Sequence, residues 1–271
     1  MTPDTDSGRQ GPSESTNRDE GREYVACNLC GADDTVVVFV GRDVRRGVPG
    51  EFPVVRCRRC ALVYLNPRPD RTGIGRYYPE DYALHGLEDL PAEQHYYWLF
   101  RRPTVPRGSR VLDVGAGGGR YLRFLAACGY EVAGLEISEK VADAVRRDLG
   151  FEMYAGTLDE AAIPAESYDL VTMWWSLEHM HDPLGALRAA HRVLVPGGKI
   201  IVSVPNFASL ARRLFGQHWH HADTPGHLYL FEPGTLTRAL EETGFRVDRV
   251  RQDLLAKEFA PSLGASLGAR P

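Results

Sequence analysis

Residues 110–119, RVLDVGAGGG, constrain the fold more than any other stretch, because a short apolar run ends there in a cluster of glycines. Arg110–Val114 has the β-branched, apolar character of a buried parallel strand. After the glycines, apolar residues recur at helical spacing as far as Gly129, where a helix can end. A strand, a glycine turn and a helix in this order let the backbone approach a ligand closely at the carboxyl end of a sheet.

Strand-like and helix-like segments alternate over the rest of the chain. Ser138 and the Asp182-Pro183 pair are typical helix starts, and Gly150 and Gly244 are typical helix ends. Repeated β-α units predict a parallel sheet that binds its ligands at the carboxyl ends of the strands. The further predicted strands are Glu131–Leu135, Met153–Ala155, Tyr168–Met173, Lys199–Pro205 and Arg246–Gln252.

The composition excludes several classes of protein. With 43% hydrophobic and 25% charged residues, the 271-residue chain suits one large globular domain and a small one. The net charge of −4 argues against an obligatory nucleic-acid partner. The apolar runs are too short to span a membrane, and residues 1–22 lack a signal pattern and suit a disordered tail. We therefore expect a cytoplasmic protein without a membrane partner; a targeting segment is the alternative.

Two Cys-x-x-Cys pairs, Cys27 with Cys30 and Cys57 with Cys60, supply four thiolates. Four thiolates suit a tetrahedral Zn²⁺ site with a structural role, because no open position is left for a substrate. The strand-like runs Val36–Val40 and Glu51–Val55 predict a zinc ribbon over residues 23–69. Disulfides and a redox-active pair are the alternatives; no export signal supports the first, and the second needs only one pair.

The ribbon is rich in arginine, and the segment after it is rich in aromatic residues. The arginines either contact nucleic acid or form a solvated surface that docks on an acidic neighbour, and we favour the second. Residues 70–107 are interpreted as an aromatic-rich helical linker that packs between domains or closes over a flat ligand as a lid. The main domain is predicted over residues 108–256, and a loose tail over 257–271. The ribbon arginines are Arg42, Arg45, Arg46, Arg56, Arg58, Arg59 and Arg68.

The glycine loop departs from the dinucleotide fingerprint G-x-G-x-x-G, because Arg120 stands where the third glycine would be. A ligand without a pyrophosphate does not need the full fingerprint, and a ligand with an ammonium group gains from a carboxylate such as Asp113 at the loop. Glu136, at the end of the next strand, is placed to accept both hydroxyls of a ribose. S-adenosylmethionine meets all of these requirements.

Residues 110–252 resemble the class I S-adenosylmethionine-dependent methyltransferase domain. The paired cysteines, LVYLNPRP and RYYPEDY extend the likeness to bacterial small-molecule and sugar methyltransferases with an N-terminal zinc ribbon. The resemblance implies an α/β fold: a Rossmann-like, seven-stranded, mostly parallel sheet with helices on both faces, preceded by a small zinc ribbon. Sugar C-methyltransferases of this type carry a further C-terminal domain to which the present sequence shows no counterpart. We therefore do not assign their C-methylation residues to this sequence. The matching stretches are VLDVGAGGG (111–119), VAGLEIS (132–138), YDLVTMWWSLEHMHDP (168–183), HRVLVPGGKIIVSVPN (191–206) and FGQHWHHADTPGHLYLFEPGTL (215–236).

The resemblance also implies where the cofactor binds. The methionine end is expected at Asp113 and the glycine loop, and the ribose at Glu136. The adenine-side acidic position of the family falls next to Leu158, where Thr157 replaces the acid. Trp174 and Trp175 are expected to border the cofactor and substrate pocket, with core packing as the alternative. The expected cofactor-binding residues are Asp113, Gly115, Gly117, Glu136, Leu158, Trp174 and Tyr78.

Methyl transfer to a hydroxyl requires the reacting atoms to be aligned within about 3–3.5 Å. It also requires removal of the hydroxyl proton, usually by a histidine or carboxylate worth roughly 10²–10⁴-fold in rate. Histidines follow the fourth and fifth predicted strands, on the active side of such a sheet, and we expect one of them to be the base. The candidates are His179, His227 and His181, and the wider group also includes His218, His220 and His221.

Glu178 and His179 also permit a metal hypothesis. In ubiquinone-type O-methyltransferases, a similar LEH segment binds a divalent metal together with a glutamate three residues before its Glu. Trp175 stands at that place here, so the implied ligand set is incomplete, and we favour a base or a substrate contact for His179. A metal cluster of His220, His221 and Asp223 is a weaker alternative.

The sequence thus favours S-adenosylmethionine-dependent O-methylation of a small molecule, such as a sugar, glycan or polyketide-like metabolite. One alternative is methylation of structured RNA that docks on the basic ribbon; the acidity of the chain opposes it. The other is a non-catalytic binding module with a methyltransferase fold, which the glycine loop and Glu136 oppose.

Overall fold

The computed structural model of the protein describes residues 21–43, 46–78, 91–252 and 259–266. The predicted tail over residues 1–22 lies almost entirely outside these ranges, as do Arg45 and the second half of the RYYPEDY stretch.

Short antiparallel strands build the N-terminal part of the chain. Strand β1 pairs with β5, and β2, β3 and β4 lie side by side in a separate sheet. The two predicted strand runs are confirmed as β2 and β3, with ends shifted by one or two residues. The strands are β1 (Arg22–Glu23), β2 (Thr35–Gly41), β3 (Phe52–Cys57), β4 (Val63–Leu65) and β5 (Arg68–Pro69).

A parallel five-stranded sheet forms the rest of the molecule, in the order β10-β9-β6-β7-β8. Its strands are β6 (Arg110–Val114), β7 (Glu131–Glu136), β8 (Glu152–Ala155), β9 (Tyr168–Trp174) and β10 (Leu194–Ser203). The helices are α1 (Pro91–Phe100), α2 (Arg120–Ala127), α3 (Glu139–Leu149), α4 (Pro183–Val193), α5 (Leu210–Phe215), α6 (Pro233–Glu242) and α7 (Phe259–Ser266).

Helices cover both faces of the sheet. Val111 and Leu170 point to one face, where they share a core cluster with aromatic residues of α1 and α2. Their neighbours Leu112 and Val171 point to the other face and share a cluster with Leu187 of α4. Alternation of side chains along each strand therefore places one apolar set on each face, as expected for a buried parallel sheet.

The predicted helix caps are present. The Ser138 hydroxyl accepts a hydrogen bond from the Val141 amide (3.4 Å), and Gly150 ends α3 with φ +70°. A carboxylate oxygen of Asp182 accepts a hydrogen bond from the Gly185 amide (2.8 Å) at the start of α4. Local sequence signals were sufficient here because each cap involves residues within four positions of one another.

Three expectations about the C-terminal part differ from the structure. The parallel sheet has five strands in the described chain instead of seven. Residues 246–252 were predicted to form the last strand but pair with no strand of the described chain. Four of these seven residues are charged and the Val250 side chain is 55% exposed, so little apolar area is buried. Residues 259–266 were assigned to a loose tail, but they form α7, where the buried Ser262 hydroxyl accepts a hydrogen bond from the His220 amide (3.0 Å).

One strand from the main domain completes the N-terminal sheet. Strand β11 (Tyr229–Leu230) pairs with β4, so the order of that sheet is β11-β4-β3-β2. A single core cluster accordingly contains Cys27 and Tyr64 of the ribbon together with Leu177 and Phe231 of the main domain. None of the described helices has the length and apolar character needed to cross a membrane.

Candidate active site

The glycine loop is hydrogen-bonded to the end of the neighbouring strand. The amides of Gly115 and Ala116 donate to the Leu135 carbonyl (2.8 and 3.0 Å). The Gly117 amide donates to one carboxylate oxygen of Glu136 (3.0 Å), and the Ser138 amide donates to the other (3.2 Å). Burial raises the pKa of Glu136, and these amide hydrogen bonds oppose that rise. Gly115, Gly117 and Glu136 are therefore brought together, as the sequence predicted for a cofactor loop.

Asp113 lies beneath the loop and is 4% exposed. Its carboxylate accepts a hydrogen bond from the Thr172 hydroxyl of the adjacent strand β9 (2.6 Å). Burial raises the pKa of Asp113 to about 7; the Thr172 hydrogen bond and Arg101 act in the opposite direction, and Glu136 adds to the rise. The carboxylate is thus poised to ionise when a cation binds beside it.

Arg101, which was not predicted from the sequence, follows α1 directly and acts electrostatically on Asp113. Its guanidinium carbon lies 4.7 Å from the ring centroid of Trp174 and 5.2 Å from that of Trp175. Two further rings, Tyr96 and Tyr97, lie at 5.2 and 5.4 Å. The only sequence signal was a basic residue next to the aromatic segment, so the cation–π cage could be found only from the fold.

The other expected cofactor contacts have different environments. Leu158 is fully buried in the core with Leu135, so its side chain packs inside the domain. The Trp174 indole N–H is buried without a hydrogen-bond partner. The Tyr78 hydroxyl lies 2.7 Å from Nδ1 of His179, so the structure places this residue with the candidate base.

Two of the three candidate base residues meet at the carboxyl end of the sheet. The rings of His179 and His227 are perpendicular, with centroids 4.7 Å apart. Nδ1 of His179 lies 2.9 Å from the Gly226 carbonyl oxygen, and Nδ1 of His227 lies 2.8 Å from that of His221. The third candidate, His181, instead has Nε2 3.1 Å from the Pro69 carbonyl oxygen, so it contacts the ribbon.

Glu178 is the most unusual group in this region. It is 1% exposed, and neither carboxylate oxygen has a hydrogen-bond partner. Burial raises the pKa of Glu178 to about 8, and the nearby carboxylate of Asp223 contributes to the rise. The backbone carbonyl of Glu178 accepts a hydrogen bond from the Leu228 amide (2.9 Å), which holds the two histidine segments together.

The four ribbon cysteines converge in the N-terminal part of the structure. The Sγ atoms of Cys27 and Cys60 are 3.4 Å apart, those of Cys30 and Cys57 are 3.5 Å apart, and all four lie within 4.8 Å of one another. Bonds of 2.3 Å to a tetrahedral Zn²⁺ would separate the sulfurs by about 3.8 Å, so the cluster has the size of such a site.

The two cysteine pairs have the same backbone arrangement. The Gly31 amide donates to the Cys27 carbonyl (2.8 Å), and the Ala61 amide donates to the Cys57 carbonyl (3.0 Å). Gly31 and Ala61 both have positive φ angles, of +70° and +65°. This repeated turn directs both thiol groups of each pair toward the same point, which a single metal ion requires.

Comparison with known proteins gives a consistent result. A family model described as a methyltransferase domain matches residues 88–250. The ubiquinone biosynthesis O-methyltransferase of Aromatoleum aromaticum is 37% identical over 130 residues, which cover 45% of this chain and 53% of that protein. A "probable S-adenosylmethionine-dependent methyltransferase" of Mycolicibacterium smegmatis is 31% identical over 180 residues, covering 63% of this chain and 68% of that protein.

The solved structures agree with the fold. The 4+2 cyclase SpnF has a TM-score of 0.51 and 23% identity, over 65% of this chain and 66% of that chain. The present chain spans about half the length of the ubiquinone relatives, so their activity does not transfer to it directly. The matched length and the glycine loop with Asp113 and Glu136 show that the chain belongs to the class I S-adenosylmethionine-dependent methyltransferase family.

Proposed function

We propose that this protein transfers a methyl group from S-adenosylmethionine to a hydroxyl of a small molecule. Asp113 would bind the ammonium group of the cofactor, Arg101 its carboxylate, and Glu136 its ribose hydroxyls. When bound, S-adenosylmethionine supplies a methyl group on a sulfonium, which a nucleophile displaces in line. The names of the relatives, ubiquinone biosynthesis O-methyltransferases, support a small-molecule hydroxyl as the acceptor.

One contact carries this proposal. A Cβ atom built on Gly115 would lie 2.7 Å from Cβ of Ser176, so the cofactor loop touches the start of the segment that bears Glu178 and His179. This contact supports a site in which the expected cofactor residues and the histidine pair border one another at the carboxyl end of the sheet. We propose that His179, or His227 beside it, takes the proton of the acceptor hydroxyl when no metal is bound to the histidine pair.

We also propose a structural Zn²⁺ bound by Cys27, Cys30, Cys57 and Cys60, and a sugar, glycan or polyketide-like acceptor in preference to RNA. The charges of the ribbon support this preference, because several of its arginines are paired with carboxylates and present less net charge to a polyanion. The pairs are Arg42–Glu51, Arg56–Glu232, Arg58–Asp34 and Arg68–Glu23.

Transfer of a labelled methyl group tests the proposal. Protein with Zn²⁺ in its cysteine cluster is incubated with labelled cofactor and, in separate samples, with sugar nucleotides, phenolic polyketides or total RNA as acceptor. Cofactor binding is followed in parallel by calorimetry. We expect label in a hydroxyl compound, with transfer reduced at least about 100-fold in His179→Ala and unchanged in His191→Ala, an exposed histidine on α4. Absence of cofactor binding, or label found only in RNA, would contradict the proposal.

A further inference from the structure

We propose that Glu178, His179 and His227 form a binding site for one divalent transition-metal ion next to the cofactor loop. One carboxylate oxygen of Glu178 and one ring nitrogen of each histidine lie within 4.8 Å of one another. Metal–ligand bonds of about 2.0–2.2 Å place neighbouring ligand atoms roughly 3–3.5 Å apart, so binding requires the three groups to approach by about an ångström.

The buried carboxylate indicates that the missing group is a cation. An ionised carboxylate without a hydrogen bond is costly in a protein interior and is normally paired or bound to a metal. Both oxygens of Glu178 are buried and unpartnered, and the acidic group that acts on them is another carboxylate, Asp223. A bound cation would give the buried Glu178 carboxyl the partner that neither of its oxygens has here, and the carboxyl would lose its proton on binding.

The two histidines have the orientation of metal ligands. A carbonyl oxygen can only accept a hydrogen bond, so the contacts with Gly226 and His221 place the ring proton on Nδ1 of His179 and of His227. In a neutral ring the lone pair is then on Nε2, the atom that would bind the metal; Nε2 of His227 lies 3.9 Å from a carboxylate oxygen of Asp223. Ligating histidines commonly donate their other N–H group to a carbonyl in this way. Tyr78 supports the arrangement, since its hydroxyl donates to the same Gly226 carbonyl (3.1 Å).

The donor set differs from the one that the family resemblance implied. That set has a second carboxylate three residues before Glu178, and Trp175 stands at this position here. His227 takes its place from a distant part of the chain and exchanges an oxygen donor for an imidazole. Two imidazoles and one carboxylate favour zinc, iron, cobalt or manganese over Mg²⁺, and three protein ligands leave positions open for another molecule.

The site would change how the acceptor hydroxyl is activated. A divalent ion lowers the pKa of a bound hydroxyl, and both imidazoles would then be ligands, so the histidine base described above applies to the metal-free protein only. This consequence rests on the proposed methyl transfer, whereas the binding of the metal does not.

Manganese is a suitable probe, because Mn²⁺ prefers oxygen and imidazole donors and competes poorly for the cysteine cluster. Full-length protein brought to one Zn²⁺ per chain, the ion that the four cysteines hold, and stripped of more weakly bound metal with a chelator, is titrated with Mn²⁺ by calorimetry and by the electron paramagnetic resonance of unbound Mn²⁺. We expect one Mn²⁺ per chain, with affinity at least about tenfold lower in Glu178→Gln and in His227→Ala. His191→Ala, which removes an exposed histidine, should bind as the wild type does.

The outcomes separate this inference from the proposed function. Absence of saturable Mn²⁺ binding up to millimolar concentration, or unchanged affinity in both variants, would overturn the site. Mg²⁺ binding as tight as that of Mn²⁺ would overturn the two-imidazole ligand set. S-adenosylmethionine is titrated into the same samples, so a protein that binds the cofactor but no Mn²⁺ refutes the metal site alone.

Discussion

Replacing Asp113 by asparagine should raise the stability of the cofactor-free protein and weaken its binding of S-adenosylmethionine. Asp113 is buried, and its pKa rises from an ordinary 3.8 to about 7. The folded state therefore holds a proton between pH 4 and 7 that the unfolded chain has released, so stability falls as the pH rises through that range. Asparagine cannot ionise, and its side-chain oxygen can still accept the hydrogen bond from Thr172.

The magnitude follows from the pKa. A rise from 3.8 to about 7 corresponds to roughly 4 kcal/mol of destabilisation above pH 7, at about 1.4 kcal/mol per pH unit. Asp113→Asn should recover a large part of this free energy of unfolding at pH 8 and little at pH 4. Chemical denaturation at the two pH values measures the difference, and equal gains at both would show that ionisation of Asp113 is not the cause.

Cofactor binding should require the ionised form of Asp113, whereas folding favours the protonated form. An ammonium group needs the ionised carboxylate, so the affinity of the wild type should rise about tenfold per pH unit below pH 7 and then level off. Arg101 and Glu136, the two charged groups that act on Asp113, remain in the Asp113→Asn variant. The affinity of this variant for S-adenosylmethionine should be low and nearly independent of pH. Thr172→Val removes the hydrogen bond that lowers the pKa and should move the levelling point to higher pH. Calorimetry between pH 5.5 and 7.5 checks all three proteins, and a flat wild-type profile would refute the reasoning.

Two further substitutions test the loop and the ribbon. Gly115→Ala should lower the free energy of unfolding by about 1–3 kcal/mol more than Gly129→Ala does. Both glycines have positive φ, but only a Cβ at position 115 would collide with a neighbour, Ser176. Equal melting temperatures of the two variants would contradict this. Cys57→Ser should lower the zinc content by one ion per chain and lower the melting temperature, whereas Cys128→Ser, outside the cluster, should change neither. An unchanged zinc content in the Cys57 variant would exclude the four-cysteine site.

Sequence reasoning succeeded where the determining interactions are local. The strand Arg110–Val114 is confirmed at the predicted residues, and Ser138, Gly150 and Asp182 cap their helices. The turns, caps and cysteine pairs each depend on residues a few positions apart, so spacing alone predicts them. The same holds for Glu136, because the carboxyl ends of neighbouring parallel strands must meet.

Sequence reasoning failed where distant segments pack on one another. The aromatic cage of Arg101 combines α1 with the end of β9, and neither segment alone indicates it. Glu178 and His179 were noted together in the LEH segment and His227 was selected separately, but the burial of the Glu178 carboxyl and its closeness to His227 have no local signature. The prediction of a strand over residues 246–252 was wrong for another reason. The local sequence pattern suits a strand, but no strand of the described chain pairs with this segment.

The structure connects the ribbon to the active site through a few residues. The Leu228 amide donates to the Glu178 carbonyl (2.9 Å), and the Leu228 carbonyl accepts from the Leu65 amide at the end of β4 (3.0 Å). His227 precedes this residue, and β11 follows it as the fourth strand of the ribbon sheet. The position of His227 therefore depends on whether the ribbon is folded. Because the proposed Zn²⁺ would stabilise the ribbon, we expect its removal to displace His227 more than the glycine loop, which is hydrogen-bonded to Leu135 and Glu136 of β7.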